Sequence, residues 1–376
     1  MSEVLTHIPI GPDELTDDWL TEALRRGGAL KAASVTSHKW ASLERQGAAG
    51  VVGRVTLQYD SVEPDAPVTL VAKFASPYEP TRRMLHGHGG YRKEVEFYRW
   101  LGHDAGIPVP QCFYGDIDLA SGFFVLLLED MGVCRAGNPL EPSVADAEIA
   151  IRHLAPFHAR WWDNPRLRKL DWLPHPESPE VNEHMAEIGA SLGDALATVR
   201  QRFGASFPSI CAAVGQRLVA NWERLARARG TSRLTLVHRD FHTGQMLFPS
   251  EEGGRFVVFD WQTLAVGQGA DDLARIIVMG LSVPQREQHD RRLIELYHSI
   301  LLSHGVADYD LELCVLDFRF GLTTSLIVNM IGAAAIDPEL IGRMETELGI
   351  NIADTLFGRL AAAFEAHDVL ALLPAS

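Results

Sequence analysis

The stretch Leu236-Val-His-Arg-Asp240-Phe-His-Thr-Gly-Gln245-Met-Leu-Phe248 decides how this chain is read. An apolar run leads into His238-Arg239-Asp240, and an amide side chain, Gln245, follows five positions after the acid. A second apolar strand, Phe256–Phe259, ends in Asp260, across a turn that carries Gly253 and Gly254. Two carboxylates at strand ends with an amide between them suit phosphoryl transfer. One acid would accept the proton of a substrate hydroxyl, while the amide and the other acid would hold magnesium against nucleotide phosphates. Taken alone, the motif also fits a surface loop of ordinary turn residues, where Asp and His are common. The rest of the chain has to discriminate.

Length and composition set the frame. At 376 residues the chain exceeds one average domain, and two lobes are expected. Hydrophobic residues make up 47% and charged residues 22%, enough for a large core and against bulk disorder. The net charge of −15 excludes the basic footprint that a nucleic-acid surface needs. Four cysteines, Cys112, Cys134, Cys211 and Cys314, lack CxxC spacing and read as reduced, buried thiols of a cytoplasmic protein. The N-terminus lacks the basic-then-apolar order of a signal peptide. The longest uncharged run, Phe320–Ile336, has 17 residues with Thr323, Thr324, Ser325 and Asn329 among them. A bilayer span wants about 20 mostly apolar residues, so no membrane span is expected and the run reads as a buried core helix.

Taken in order, the chain opens with a helix over residues 16–26, capped by Thr16 and ended by Gly27-Gly28. Strands follow at Ser34–Trp40, Val51–Tyr59 and Val68–Phe74, with a small-residue turn from Gly47 to Gly53 that serves equally as a phosphate-approaching loop or a plain hairpin. The third strand carries Lys73 among apolar neighbours. It is either a buried cation in need of a carboxylate or phosphate partner, or a solvent-facing lysine on an edge strand. A helix over Tyr91–Leu101 puts Glu94 on the same face as Phe97, Tyr98 and Leu101, which suggests a Lys73–Glu94 ion pair. Strands at Gln111–Asp116 and Phe123–Leu128 then run into Glu129-Asp130-Met131-Gly132, a hinge whose backbone could bond an adenine edge. Beyond it the chain is mostly helical: Ser143–Trp162 with a kink expected at Pro156, then 180–203, 209–228, 271–281, 285–303, 311–335 and 338–367.

Together these pieces resemble the aminoglycoside phosphotransferase / choline kinase group of small-molecule kinases, and most of all its bacterial ecdysteroid-kinase-like branch. The likeness rests on Gly53-Arg54 to Tyr59, Leu70-Val-Ala-Lys73, Glu94 to Tyr98, Leu126 to Asp130, Leu154 to Trp162 with His158, Leu236 to His242, Phe259-Asp260-Trp-Gln262 and Asp272-Leu-Ala274. Their order from Gly53 to Ala274 makes it specific. The resemblance implies an α+β, protein-kinase-like two-lobe fold: a β-rich N-lobe over 1–128, a hinge over 129–133, and a larger helical C-lobe over 134–376. That C-lobe would hold a catalytic loop at 236–248 and a metal-binding segment at 256–272. It further implies ATP in the cleft, Asp240 as base, Asp260 as main Mg2+ ligand, Lys73 on the phosphates with Glu94 as its partner, and Glu129 to Met131 as hinge. The acceptor would be a small-molecule hydroxyl.

Two positions depart from that pattern. Arg239 stands where the small-molecule kinases usually carry Gly, and Gln245 stands where the metal-binding Asn is usual. Gln is one methylene longer, so it ligates magnesium only if the backbone or the metal shifts. A nucleotide-binding regulatory module without turnover is therefore the rival from another class. A protein kinase is disfavoured because no Ala-Pro-Glu follows Asp260. Gly189-Ala-Ser191-Leu-Gly193 spells the serine-hydrolase GxSxG, but it lies in a helical stretch without the strand that this motif requires. His86-Gly-His88 lacks a third ligand nearby and reads as a flexible loop.

Overall fold

The computed structural model describes residues 7–43, 50–141, 143–179, 181, 185–229 and 233–375. The chain divides into two compact units, Met1–Arg135 with Pro249–Thr263, and Ala136–Phe248 with Leu264–Ser376. The segment expected to hold metal, 256–272, is thus split between them after Thr263. Among the described residues no helix is long and apolar enough to cross a membrane.

The first unit is built on an antiparallel sheet of β1 (Val35–Ser42), β2 (Gly50–Tyr59), β3 (Thr69–Ala75), β4 (Cys112–Ile117) and β5 (Phe124–Glu129), in the spatial order β1-β2-β3-β5-β4. Alternation decides the faces. Leu70, Ala72 and Phe74 of β3 and Val125 and Leu127 of β5 share one core with Leu20, Ala23 and Leu24 of α1 (Asp17–Arg26). Thr16 caps that helix, its side chain accepting from the Trp19 N–H at 3.1 Å. Residue 73 falls on the opposite face, where α3 (Gly90–Trp100) packs. Both faces of β5 are therefore covered, which is why its sequence is continuously apolar. Gly53 proves to be a packing glycine: a Cβ there would lie 2.3 Å from the Trp40 indole. Residues 47–49 of the expected small-residue turn lie outside the described residues. His86 and His88, expected in a loop, sit in the last turn and at the C-cap of α2 (Glu79–Gly87).

Strand β6 (Arg135–Ala136) falls at the division, and in the second unit α4 (Val144–Trp161), capped by Ser143, is helical on both sides of Pro156. Next come α5 (Met185–Phe203), α6 (Ser209–Ala220) and α7 (Trp222–Arg229); the single helix expected over 209–228 is broken at Asn221. Strand β7 (Leu234–Val237) pairs antiparallel with β10 (Ala265–Gln268), and β8 (Met246–Phe248) is short; β9 (Val257–Val258), also short, belongs to the first unit. Helix α8 (Ala270–Gly280) is buried along its whole length between α4, α9 (Val283–Ser303) and α10 (Leu311–Ala335). Gly321 permits the α8–α10 approach, since a Cβ there would meet the Ala270 carbonyl oxygen at 2.6 Å. The helix expected over 338–367 is interrupted: α11 (Pro338–Leu348) stops at left-handed Gly349, and a π-turn over Asp354–Gly358 precedes α12 (Arg359–Ala366). GxSxG lies inside α5. Of the cysteines, Cys211 and Cys314 are buried and Cys112 and Cys134 half-buried, all four as free thiols.

Candidate active site

Lys73 leaves β3 on the face that α3 covers, and is 8% exposed. Its Nζ donates to Glu94 Oε1 at 2.8 Å and to Asp260 Oδ1 at 3.0 Å. Glu94 is 1% exposed, and its other oxygen accepts from Gln262 Nε2 at 3.1 Å. The edge-strand alternative for Lys73 is thereby ruled out. Asp260 and Gln262 flank Trp261, whose ring stacks on Phe97 of α3 with centroids 3.9 Å apart, so one aromatic contact delivers Asp260 to the lysine and Gln262 to Glu94. Asp260 itself takes φ +66°, a left-handed conformation that Asp tolerates better than most residues. Burial alone would push the Lys73 ammonium down; Asp260 and Glu94 outweigh it and hold it above the usual lysine range. Burial dominates at Glu94 and pushes its carboxyl up, against the pull of Lys73.

The hinge residues lie in the same unit. The Glu129 carboxylate pairs with Arg255 Nη2 at 2.7 Å and accepts from the Gln111 N–H at 3.0 Å, and its own N–H donates to the Gln111 carbonyl at 2.7 Å. Asp130 binds Arg54 of β2 through both oxygens, at 2.5 and 3.1 Å. Met131 is 9% exposed, and its carbonyl accepts from the Cys134 N–H at 2.8 Å.

In the second unit the loop after β7 is fastened from below by Asp272, in the first turn of α8. Its carboxylate accepts the backbone N–H groups of His238 and Arg239, both at 2.7 Å. His158 of α4 lies between Asp272 Oδ2, 3.3 Å from its Nε2, and the Tyr297 hydroxyl, 2.7 Å from its Nδ1. All three side chains are fully buried. Arg239 adopts φ +66°, the region glycine prefers, which explains physically why Gly suits the position between His and Asp. Asp240 then projects with four donors around it. Arg275 Nε and Nη2 both donate to Oδ1, at 3.1 and 2.7 Å. Gln245 Nε2 donates to Oδ2 at 3.3 Å. His242 Nδ1 accepts the Gly244 N–H at 3.1 Å, so the ring proton sits on Nε2, which faces Oδ2 at 3.5 Å. Burial works to raise the Asp240 carboxyl, but His242 and Arg275 outweigh it and hold it well below the usual carboxylate range.

The structure thus brings Lys73, Glu94 and Asp260 together in one unit and Asp240 and Gln245 together in the other. Sequence reasoning gave no role to Gln262, His242 or Asp272, although all three stand in the motifs quoted above, and it passed over Arg275 and Asn329. The signal for Arg275 was its spacing, one helical turn beyond Asp272; for Asn329 it was a lone amide in an apolar helix.

A family model described as the phosphotransferase enzyme family matches residues 62–310. An uncharacterised kinase-like protein of Caenorhabditis elegans is 23% identical over 219 residues; the match covers 56% of this chain and only 57% of that protein's length. Two of the similar solved structures show the likeness. A choline kinase from Cryptosporidium parvum has a TM-score of 0.55 at 9% identity, over 89% of this chain and 92% of that one. A GDP complex of an aminoglycoside 2'-phosphotransferase IIIa variant has a TM-score of 0.50 at 16% identity, over 89% and 94%. At such identities the likeness is one of fold, and the fold is the α+β, kinase-like one expected from sequence, with a small antiparallel sheet and a larger helical part.

Proposed function

The chain belongs to the phosphotransferase enzyme family, and from that premise we propose that it is an ATP-dependent small-molecule kinase, cytoplasmic, with a hydroxyl compound as acceptor. The observation that carries the reading is the Lys73 cluster. One ammonium between two carboxylates, nearly out of water, leaves that site one negative charge in excess when both acids are ionised. An excess of hard oxygen charge suits a divalent cation such as magnesium, which commonly takes only one or two protein carboxylates and completes its shell with phosphate oxygens and waters. Asp260 would hold that ion, and the amide oxygen of Gln245 would hold a second one loosely or through a water. Bound magnesium supplies positive charge against the phosphates.

The chain's own groups do the rest. Lys73 donates to phosphate oxygens, and Glu94 with Gln262 keeps it aimed. The backbone of Glu129 to Met131 takes the adenine edge. Asp240 Oδ2 receives the acceptor's hydroxyl proton as the new O–P bond forms, ATP supplying the phosphoryl group and leaving as ADP. Positioning and fixed charge supply most of the rate in such chemistry. The side chains at Asp240 are Arg275, His242, Gln245 and His238, cationic or neutral, which favours a neutral or weakly polar alcohol over a polycation, in keeping with the ecdysteroid-kinase-like likeness. The −15 net charge acts mildly the other way.

One observation favours a nucleotide-binding module without turnover: both oxygens of Asp240 are engaged, one of them by Gln245. The two readings part on ATP consumption with magnesium across a panel of hydroxylated compounds, steroid alcohols and aminoglycosides included. Turnover with a neutral alcohol is expected, and Asp240→Asn should lower it by roughly 10²–10⁴-fold with nucleotide still bound. Strong aminoglycoside phosphorylation would overturn the substrate class. Tight ATP binding with no turnover on any acceptor would establish the module.

A further inference from the structure

We infer that Arg275 is a positioning residue for Asp240, and that Asn329 holds Arg275 in place for that task. The inference rests on the proposed role of Asp240 as base. Arg275 lies on α8, 5% exposed. A guanidinium buried that far needs a partner, and one carboxylate would satisfy the charge. The arrangement goes further. An arginine–carboxylate pair frequently sets its fork across both carboxylate oxygens. Here Nε and Nη2 converge on Oδ1, at 3.1 and 2.7 Å, and leave Oδ2 to Gln245 and His242.

The third guanidinium nitrogen is also used. Arg275 Nη1 donates to Asn329 Oδ1 at 2.5 Å, and Asn329 Nδ2 donates to the Leu356 carbonyl at 2.6 Å. Asn329 is 3% exposed in an otherwise apolar stretch of α10, and Leu356 belongs to the π-turn. An amide buried among apolar side chains is costly unless both its ends are bonded, and both are. The plane of the guanidinium is therefore fixed from two sides, and through it the rotation of the Asp240 carboxylate about Cβ–Cγ. Oδ1 is clamped by a cation. Oδ2 carries an amide and an imidazole N–H, which a substrate hydroxyl can displace. The network divides the two oxygens of one carboxylate into a fixed one and a working one.

The test uses the full chain and magnesium-dependent ATP hydrolysis, with water and the best alcohol of the panel as acceptors. Arg275→Ala should lower kcat by about 100-fold, the scale of a misplaced reacting group, while the nucleotide KM stays within about twofold. Guanidinium ion in the buffer should restore part of the loss, and Arg275→Lys should fall between the two. Asn329→Ala should lower kcat by about tenfold, again without moving the nucleotide KM. In crystals of Arg275→Ala the Asp240 carboxylate should turn away from Gln245 and His242, a readout that needs no turnover. Unchanged kcat in Arg275→Ala, a loss confined to nucleotide KM, or a carboxylate that keeps both Oδ2 partners would overturn the inference. If Arg275→Ala fails to fold, Asn329→Ala decides by the same criteria. The base reading fails separately, through an Asp240→Asn variant that turns over normally.

Discussion

The Lys73 cluster and the Asp240 cluster are built in opposite senses. In the first, one cation is shared by two acids, and with both ionised the site carries a surplus of negative charge. In the second, one acid is shared by a cation, an amide and an imidazole, and its charge is matched. Exposure does not separate them: each pairs a shut-in group, Glu94 at 1% or Arg275 at 6%, with a partly open carboxylate, Asp260 at 24% or Asp240 at 23%. An unmatched charge invites a counter-ion from outside, whereas a matched carboxylate suits the single-proton exchange proposed for Asp240. The same family chemistry thus calls for two kinds of electrostatic site, and each can be broken by a different change.

Lys73→Met should have the largest effect. Loss of one preorganised donor typically costs roughly 10²–10³ in kcat. It also leaves Glu94 buried without its cation, which for a broken buried pair costs about 3–5 kcal/mol. The fold therefore suffers along with catalysis. Part of that cost is relieved when Glu94 takes a proton, because burial raises its carboxyl in the folded state and no lysine remains to oppose it. The sign follows from linkage. A carboxyl raised above its unfolded value of about 4.3 binds more protons folded than unfolded, so stability falls as pH rises through that window. Urea unfolding at pH 5 and pH 8 should show the variant closer to the natural protein at pH 5. Equal deficits at the two pH values would mean that Glu94 finds another partner or water.

How far the sequence carries depends on whether a contact is local. Glu94 on an apolar helix face was readable from spacing, and so was its need for Lys73. Most of the strand and helix order of both units, α2 excepted, followed from periodicity and caps, because Thr16 and Ser143 act within one turn of themselves. Breaks at Asn221 and Gly349 escaped notice, since apolar periodicity resumes on both sides of each. The Phe97–Trp261 stack and the Asp240–Arg275–Asn329 chain join segments far apart in sequence. Nothing in the spacing of Asn329 says which cation it meets. The fixing of His238 and Arg239 by Asp272 is of the same kind, a first-turn acid bonding backbone more than thirty residues earlier.

Gln245→Asn sharpens the comparison from the other side, with a smaller effect. Its amide now donates to the matched carboxylate. Asn, one methylene shorter, would release Asp240 Oδ2 and direct its oxygen to the metal at the reach usual in the family. Magnesium should then half-saturate ATP hydrolysis at a concentration lower by about tenfold, the worth of one net hydrogen bond or a little more, with nucleotide affinity at saturating metal little changed. A magnesium titration that does not move would show that Gln245 serves Asp240 alone.

The smallest effect belongs to Arg239→Gly, and it separates backbone from side chain. Arg239 and Asp260 share φ +66°, one in each cluster. At Asp260 the strain cannot be removed without removing the carboxylate. At Arg239 it can, because what the loop uses is the backbone N–H that donates to Asp272, and the side chain is exposed. A left-handed residue other than Gly costs about 1–2 kcal/mol. Gly relieves that cost but gives the unfolded chain more freedom, which offsets about 0.5–1 kcal/mol. A net gain of about 0–1.5 kcal/mol is left, readable as a higher urea midpoint at unchanged m. Arg239→Ala is the control, since it removes the same side chain and keeps the strain. Gly above Ala, with Ala near the natural protein, means that the loop holds its turn against the residue's own preference, with Asp272 supplying the hold. If Ala gains as much as Gly, the guanidinium rather than the backbone was the source of the cost, and the left-handed turn at residue 239 is no reservoir of strain.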